Sequence, residues 1–207
     1  MLKLESFPVG PLSCNCSLLW DPDKATGVVV DPGGDGKRIA RRVQELGFSV
    51  QALLHTHAHF DHVGATRELQ DLWQCPAFLH EGDGYLLENL DMQTGLFGMA
   101  GIPKPSVEQL AHGDHHHELT VLHTPGHTPG SCCFHGDFEL GQVVLSGDTL
   151  FQGGVGRTDL WGGSWSQLEE SIRRHLYTLA PGTLVIPGHG PSTTIGEEAE
   201  NNAFVRN

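Results

Sequence analysis

The chain has 207 residues, with 27 glycines, 12 prolines and 14 histidines against 12 lysines and arginines combined. Its formal charge of −13 opposes a grip on a phosphate backbone, so no nucleic-acid partner is expected. The length suits one domain, residues 1–207, able to bury a core without disulfide or metal staples. There is no apolar run of roughly 18 residues to cross a membrane. The N-terminus Met1-Leu2-Lys3-Leu4-Glu5 lacks the basic flank and apolar stretch of a secretory signal. The five cysteines show no paired CxxC spacing, as expected of reduced thiols in a cytoplasmic protein.

The first third alternates short apolar runs with turn signals. Leu2–Phe7, Cys14–Trp20 and Gly27–Asp31 read as strands. Asp35 opens a helix whose Ile39, Val43 and Leu46 share one face, and Gly47 stops it. Val50–Leu54 is a buried strand, Val63–Trp73 a helix and Pro76–His80 a further strand. Gly82–Leu90 reads as one helix, while the breakers of Gly95–Pro105 predict a mobile loop or lid. Strands resume at Leu119–His123, Ser131–Phe134 and Val143–Ser146. Ser164 and Gln167 form a capping box before a helix striped by Trp165, Leu168, Ile172, Leu176 and Leu179. Thr183–Ile186 is a last strand and Gly196–Phe204 a final helix. This interleaving predicts a layered α/β structure with helices outside, without choosing among such architectures.

The chemistry concentrates in His55-Thr56-His57-Ala58-His59-Phe60-Asp61-His62. Its His57-x-His59-x-Asp61-His62 core places four possible metal ligands within six residues. On an extended segment, side chains two apart point the same way, so His57 and His59 can bind one ion. A helix starting near Asp61 turns Asp61 and His62 toward a second. Three more candidates stand beside glycines at strand ends: His127 in Pro125-Gly126-His127, Asp148 in Ser146-Gly147-Asp148, and His189 in Pro187-Gly188-His189. Imidazole and carboxylate suit two divalent ions, zinc first, with iron or manganese as options.

HxHxDH followed in order by His, Asp and His resembles the metallo-β-lactamase superfamily, from Asp31 through His189. The resemblance implies a four-layer αβ/βα sandwich of two mixed sheets with outer helices. It also implies that His57, His59 and His127 bind one metal and Asp61, His62 and His189 the other, with Asp148 as the bridge. An aspartate at the bridge argues against the antibiotic-cleaving branches. Gly147-Asp148-Thr149-Leu150-Phe151, with Gly154-Val155-Gly156-Arg157 after it, is similar to hydroxyacylglutathione hydrolases (glyoxalase II). In that family a basic residue matching Arg157 contacts the glutathione carboxylate. The chain ends 18 residues after His189, which implies that the helical C-terminal glutathione-binding domain of the longer enzymes is absent. Arg157-Thr158-Asp159 also looks like persulfide dioxygenases, which use one iron on residues matching His57, His127 and Asp148.

The expected reaction is metal-dependent hydrolysis of a small-molecule thioester, S-lactoylglutathione above all, by a bridging hydroxide. The alternatives are a mononuclear-iron persulfide dioxygenase or a lactone hydrolase on the same fold. Asp61 is expected to be a ligand that also orients the hydroxide, Arg157 to hold a substrate carboxylate, and Asp31 to support the ligand loop from beneath. The bland reading of Arg157 is a salt bridge to Asp159. His112 to His117 read as a solvated turn, and His80, His123, His135 and His175 suggest no partner.

Overall fold

The computed structural model describes residues 1–206. Strands β1 (Lys3–Val9), β2 (Cys14–Asp21), β3 (Thr26–Val30), β4 (Ser49–Leu54), β5 (Ala77–His80) and β6 (Glu108–Leu110) form one sheet in chain order. β1 to β3 run antiparallel, whereas β3 to β6 run parallel. The second sheet contains β7 (His115–His116), β8 (Leu119–His123), β9 (Cys132–Phe138), β10 (Gly141–Gly147), β13 (Leu184–Pro187) and β14 (Thr193–Thr194). Its spatial order is β14-β13-β10-β9-β8-β7, with β10 and β13 parallel. A small hairpin, β11 (Leu150–Phe151) and β12 (Gly154–Val155), follows β10.

The period-two side-chain alternation of strands builds the layers. Val28, Val30, Ala52 and Leu54 face inward and meet Val121, Phe134, Val143 and Leu145 of the second sheet. Their neighbours Val29, Val50 and Leu53 face outward onto Ile39, Val43 and Leu69 of α1 (Gly36–Leu46) and α3 (Thr66–Trp73). On the opposite side, Cys133, Val144 and Val185 pack on Leu168, Ile172, Leu176 and Ile195. Leu168 belongs to α6 (Trp165–Ser171), which continues as a wider turn over Ile172–Leu176, and Ile195 begins α7 (Ile195–Asn201). This is the αβ/βα sandwich.

Several elements differ from expectation for local reasons. The helix expected over Val63–Trp73 is two: α2 (Phe60–Val63) and α3. They meet where Gly64 presses on the Gly33 carbonyl, whose oxygen a Cβ would approach to 2.4 Å. The segment 82–90 is a tight turn (Glu81–Asp83), then α4 (Gly84–Glu88), broken at Asn89. There the Asn89 amide donates to the Tyr85 carbonyl. The expected lid from Gly95 is in part helix, because α5 spans Leu90–Leu96 with the Thr94 hydroxyl donating back to Leu90. Beyond it, Ile102 packs against the cluster of Phe60, Leu79 and Leu86. β9 runs past Phe134, since its hairpin turn sits at Glu139–Leu140, where Gly141 has φ +99°. Of the α6 stripe, Leu168, Ile172 and Leu176 are buried but Trp165 is exposed, standing in the first residue after the Ser164 cap. α7 stops at Asn201, where the Asn202 side chain accepts from the Phe204 amide. The predicted His112–His117 turn contains the short strand β7, and His116 packs on Phe78 with rings 4.4 Å apart. His80 and His123 stack at 3.9 Å, although neither suggested a partner. All five cysteines are free, and among the described residues no helix is long and apolar enough to cross a membrane.

Candidate metal centre

The site lies at the ends of strands from both sheets. After β4 the chain runs extended through His57 and His59 and enters α2 at Phe60, so Asp61 and His62 follow on the helix. His127 lies in the loop between β8 and β9, Asp148 directly after β10, and His189 after β13. Close packing makes these turns possible. A Cβ on Gly33 would stand 1.5 Å from the Asp61 carbonyl oxygen, and one on Gly188 would stand 2.2 Å from Asp148 Oδ1.

All seven predicted ligand side chains converge in two groups. In the first, Nδ1 of His59 lies 3.0 Å from Nε2 of His57 and 3.0 Å from Nε2 of His127. In the second, Nε2 of His189 lies 3.3 Å from Nε2 of His62 and 3.1 Å from Asp61 Oδ2. The Asp148 carboxylate stands between them. Its Oδ2 is 3.6 Å from Nε2 of His127, and its Oδ1 is 3.5 Å from Nε2 of His62 and 3.8 Å from that of His189.

The outer partners decide which nitrogens face inward. Nδ1–H of His127 donates to the Arg157 carbonyl, and Nδ1–H of His189 to the Leu12 carbonyl. Nδ1–H of His62 donates to Asp31 Oδ2. The Thr56 hydroxyl donates to the same Asp31 oxygen and accepts from Nδ1–H of His57. The Asp31 carboxylate also accepts the Thr56 amide, so one side chain with φ +50° supports His57 and His62 together. Such outer partners orient the rings of metal-binding histidines. Asn15 fastens the last ligand, donating to the carbonyls of Pro187 and Gly190 on either side of His189.

The two groups differ electrostatically. Burial, reinforced by neighbouring histidines, holds the His57 imidazole well below its usual range and His59 down to about 3. Both present nitrogen lone pairs. Burial opposes charge on Asp61, but His62 and His189 keep its carboxyl below the usual range. Burial also opposes charge on His62 and His189, yet surrounding carboxylates raise both. Asp148 Oδ1 is buried without a hydrogen-bond partner in the protein. Convergent lone pairs and an unsatisfied carboxylate oxygen fit cations: His57, His59 and His127 can hold one ion, and Asp61, His62 and His189 another. Cys14 Sγ approaches His62 Nδ1 to 3.5 Å, but burial pushes its thiol up to about 12, so it carries no thiolate.

Two buried supports gave no signal in the sequence. Asp83 accepts from the Ala58 amide, the Thr128 hydroxyl and the Gly130 amide, tying the His57–His59 loop to the His127 loop. Gln93 of α5 accepts from the Phe60 amide and donates to the Ala58 and Leu86 carbonyls. Both lie far along the chain from the loops they hold, so no local spacing could reveal them. A cavity opens over the two ligand groups, lined by His59, Asp61, His127, Asp148 and His189, and Arg157 lines it too, but its guanidinium is bidentate with Asp159 at 2.7 and 2.8 Å.

The sequence pattern of the metallo-beta-lactamase superfamily matches residues 9–189, which contain every one of these ligands. The chain belongs to the metallo-beta-lactamase superfamily. It is 37% identical to hydroxyacylglutathione hydrolase GloC of Haemophilus influenzae, over 99% of this chain and 98% of that protein. Among solved structures, TTHA1623 in a di-iron-bound form shares 40% identity with a TM-score of 0.89, over 97% of this chain and all of that one. The BLEG-1 B3 metallo-beta-lactamase shares 35% with a TM-score of 0.87, over 99% of this chain and all of that one. A metal-binding His/Asp cluster and a hydrolase of this superfamily are therefore what the chain presents; the fold alone does not choose the reaction.

Proposed function

We propose that the protein hydrolyses thioesters of the hydroxyacylglutathione kind at a centre of two divalent cations, zinc first, with iron or manganese as alternatives. The observation that carries this reading is the Asp148 carboxylate, which turns one oxygen toward each ligand group. His57, His59 and His127 would hold one ion, Asp61, His62 and His189 the other, and Asp148 would bridge them. When bound, such ions polarise a carbonyl and lower the pKa of water to about 7, supplying a nucleophile at neutral pH.

The chain's own residues supply the positioning. Asp61 and Asp148 face the reacting region as hydrogen-bond acceptors, and Asp31 keeps His57 and His62 in one tautomer. Among the described residues, no serine or cysteine lines the cavity, so no side-chain nucleophile competes. Water adds to the carbonyl carbon, the C–S bond breaks, and a carboxylic acid and a thiol leave. The thiol departs readily, its pKa being about 8.5. Arg157 would take a substrate carboxylate only in exchange for Asp159. The similarity to GloC supports the thioester; the similarity to BLEG-1 brings in β-lactam hydrolysis as the second reading, against which the aspartate at position 148 argues.

Metal analysis of untagged protein, followed by assays on S-lactoylglutathione and a chromogenic cephalosporin, separates the readings. Two ions per chain and thioester turnover that a chelator abolishes are expected. Cephalosporin turnover alone would transfer the conclusion to the second reading. One iron with oxygen uptake on glutathione persulfide would make it a dioxygenase instead. Full turnover after complete metal removal would end all three.

A further inference from the structure

Glu198 of α7 is 2% exposed, and Asn202, just beyond the helix, is fully buried. A carboxylate withdrawn from water is costly unless donors satisfy it. Among the described residues, the donors that reach the Glu198 carboxylate are all neutral. Its Oε2 accepts the Gly153 amide at 2.9 Å and the Asn202 side-chain amide at 2.7 Å, and its Oε1 accepts the Thr193 hydroxyl at 2.7 Å. The same Asn202 side-chain amide donates to the Gly154 carbonyl at 3.1 Å, while its Oδ1 accepts the Phe204 and Val205 amides. Gly153 and Gly154 stand at the turn between β11 and β12. The tip of that hairpin is therefore held twice from the C-terminal helix.

The hairpin carries one wall of the cavity. Leu150 pairs with Val155 and Phe151 with Gly154, so Phe151 is the strand residue next to the turn. Successive side chains of a strand point to opposite sides. Leu150 is buried in the cluster of Leu168 and Ile172 and pins the base, whereas Phe151 lines the cavity together with Asp148 and His127. Opposite Phe151 the partner strand offers only a glycine, so no cross-strand side chain backs the ring. Where the ring stands depends on where the tip is held. Thr193 lies in β14, which follows the His189 loop. Glu198 thus joins the hairpin after Asp148 to the strand after His189, as Asp83 joins the loops of the first ligand group.

We infer that Glu198 is a positioning residue for substrate: directly and through Asn202, it fixes the hairpin tip so that Phe151 stands as a rigid wall against the thioester. Its carboxylate forms no hydrogen bond with any of the seven ligand side chains and acts through Phe151. The inference rests on the thioester reading and adds a residue that sets substrate affinity. The base of the hairpin is pinned separately, by Leu150 in the core and by Gly156, where a Cβ would stand 1.8 Å from the Asp148 carbonyl oxygen. Loosening the tip therefore moves Phe151 and leaves the ligand side chains in place.

The test measures kcat and KM for S-lactoylglutathione on metal-loaded protein. Glu198→Ala should raise KM about fivefold or more while kcat stays within about threefold. In Glu198→Gln the amide oxygen can serve the Gly153 and Asn202 donors while its NH2 turns to the Thr193 hydroxyl, so KM should stay within about twofold of the unaltered value. Thr193→Val, which removes one bond of Glu198 without touching the hairpin, should behave likewise. Phe151→Ala should raise KM as Glu198→Ala does, and the double variant should add nothing further, because both act on one wall. An unchanged KM in Glu198→Ala, an equal rise in Thr193→Val, or rises that multiply in the double variant overturns the inference. If Glu198→Ala does not fold, Glu198→Asp, whose shorter arm draws the carboxylate off the tip, takes its place under the same expectations. If the unaltered protein cleaves no thioester, the thioester reading itself fails, and the Phe151 ring resonances decide the hold on the wall. Their displacement in Glu198→Ala but not in Thr193→Val sustains it, and unmoved resonances overturn it.

Discussion

Asp31 sits beneath His62, its Oδ2 3.0 Å from the imidazole Nδ1, and the same oxygen accepts the Thr56 hydroxyl that steadies His57. One carboxylate, reached 31 residues before His62, thus orients a histidine in each ligand group. Removing it leaves both rings free to turn. Asp31→Ala is expected to weaken metal binding about 10–100-fold, the usual cost of losing an outer partner. Titration of metal-free protein with zinc measures this, and unchanged affinity would deny Asp31 its orienting role.

Gly188 packs directly against two of the ligand side chains. A Cβ there would stand 2.2 Å from Asp148 Oδ1 and 2.7 Å from Cε1 of His62. Neither contact can survive, so Gly188→Ala must push the Asp148 carboxylate away. The variant should keep its secondary structure by circular dichroism but lose at least half its bound metal by elemental analysis. Full metal content with full turnover would contradict the packing argument.

Asp83 joins the two loops that carry His57, His59 and His127. Replacing it by alanine leaves the Ala58 amide, the Gly130 amide and the Thr128 hydroxyl without their acceptor. Leaving buried polar groups unsatisfied costs roughly 1–3 kcal/mol each before relaxation, so a net loss of about 2–4 kcal/mol is expected for Asp83→Ala. Urea unfolding reads the loss. Asp83→Asn, which keeps one acceptor oxygen, should recover part of it; equal losses in both variants would show that the acceptor is irrelevant.

His55 sets an acid limit on stability. Its ring is fully buried, its Nδ1–H donates to the Phe78 carbonyl, and Nε2 accepts from Thr66. Burial lowers its pKa below the usual 6.5. The unfolded chain therefore takes up a proton below about pH 6.5 that the folded chain refuses, so this contribution to stability is present above that pH and falls as the pH drops toward the folded pKa. The slope of unfolding free energy between pH 7 and 5 should be shallower in His55→Gln than in the unaltered protein. Identical slopes would remove His55 from the account.

Much of the site was legible in residue order. His57-x-His59-x-Asp61-His62 is a local pattern, and an extended segment entering a helix divides its side chains between two directions whatever else the chain does. Glycine-flanked His127, Asp148 and His189 could be nominated because strand ends must turn sharply before a side chain can point inward. The apolar run Val50–Leu54 likewise read as a buried strand, and β4 is buried on both faces over Ala52–Leu54. Breakers were weaker guides. Gly95 lies inside α5, and Asn89 rather than any glycine ended α4.

What residue order by itself determined is the set of candidate ligands and the layered α/β class, because donor chemistry and side-chain periodicity are properties of neighbours in the chain. The family resemblance implied the two groups, the place of Asp148 between them and the support from Asp31; only the tertiary structure set their distances and decided the support from Asp83 and Gln93. Each of these depends on backbone segments tens of residues apart being packed to van der Waals contact, as Gly33 against Asp61 and Gly188 against Asp148 show. The same holds for the commitment of Arg157: the sequence places a guanidinium near the cleft, but only the folded loop shows its charge already paired with Asp159.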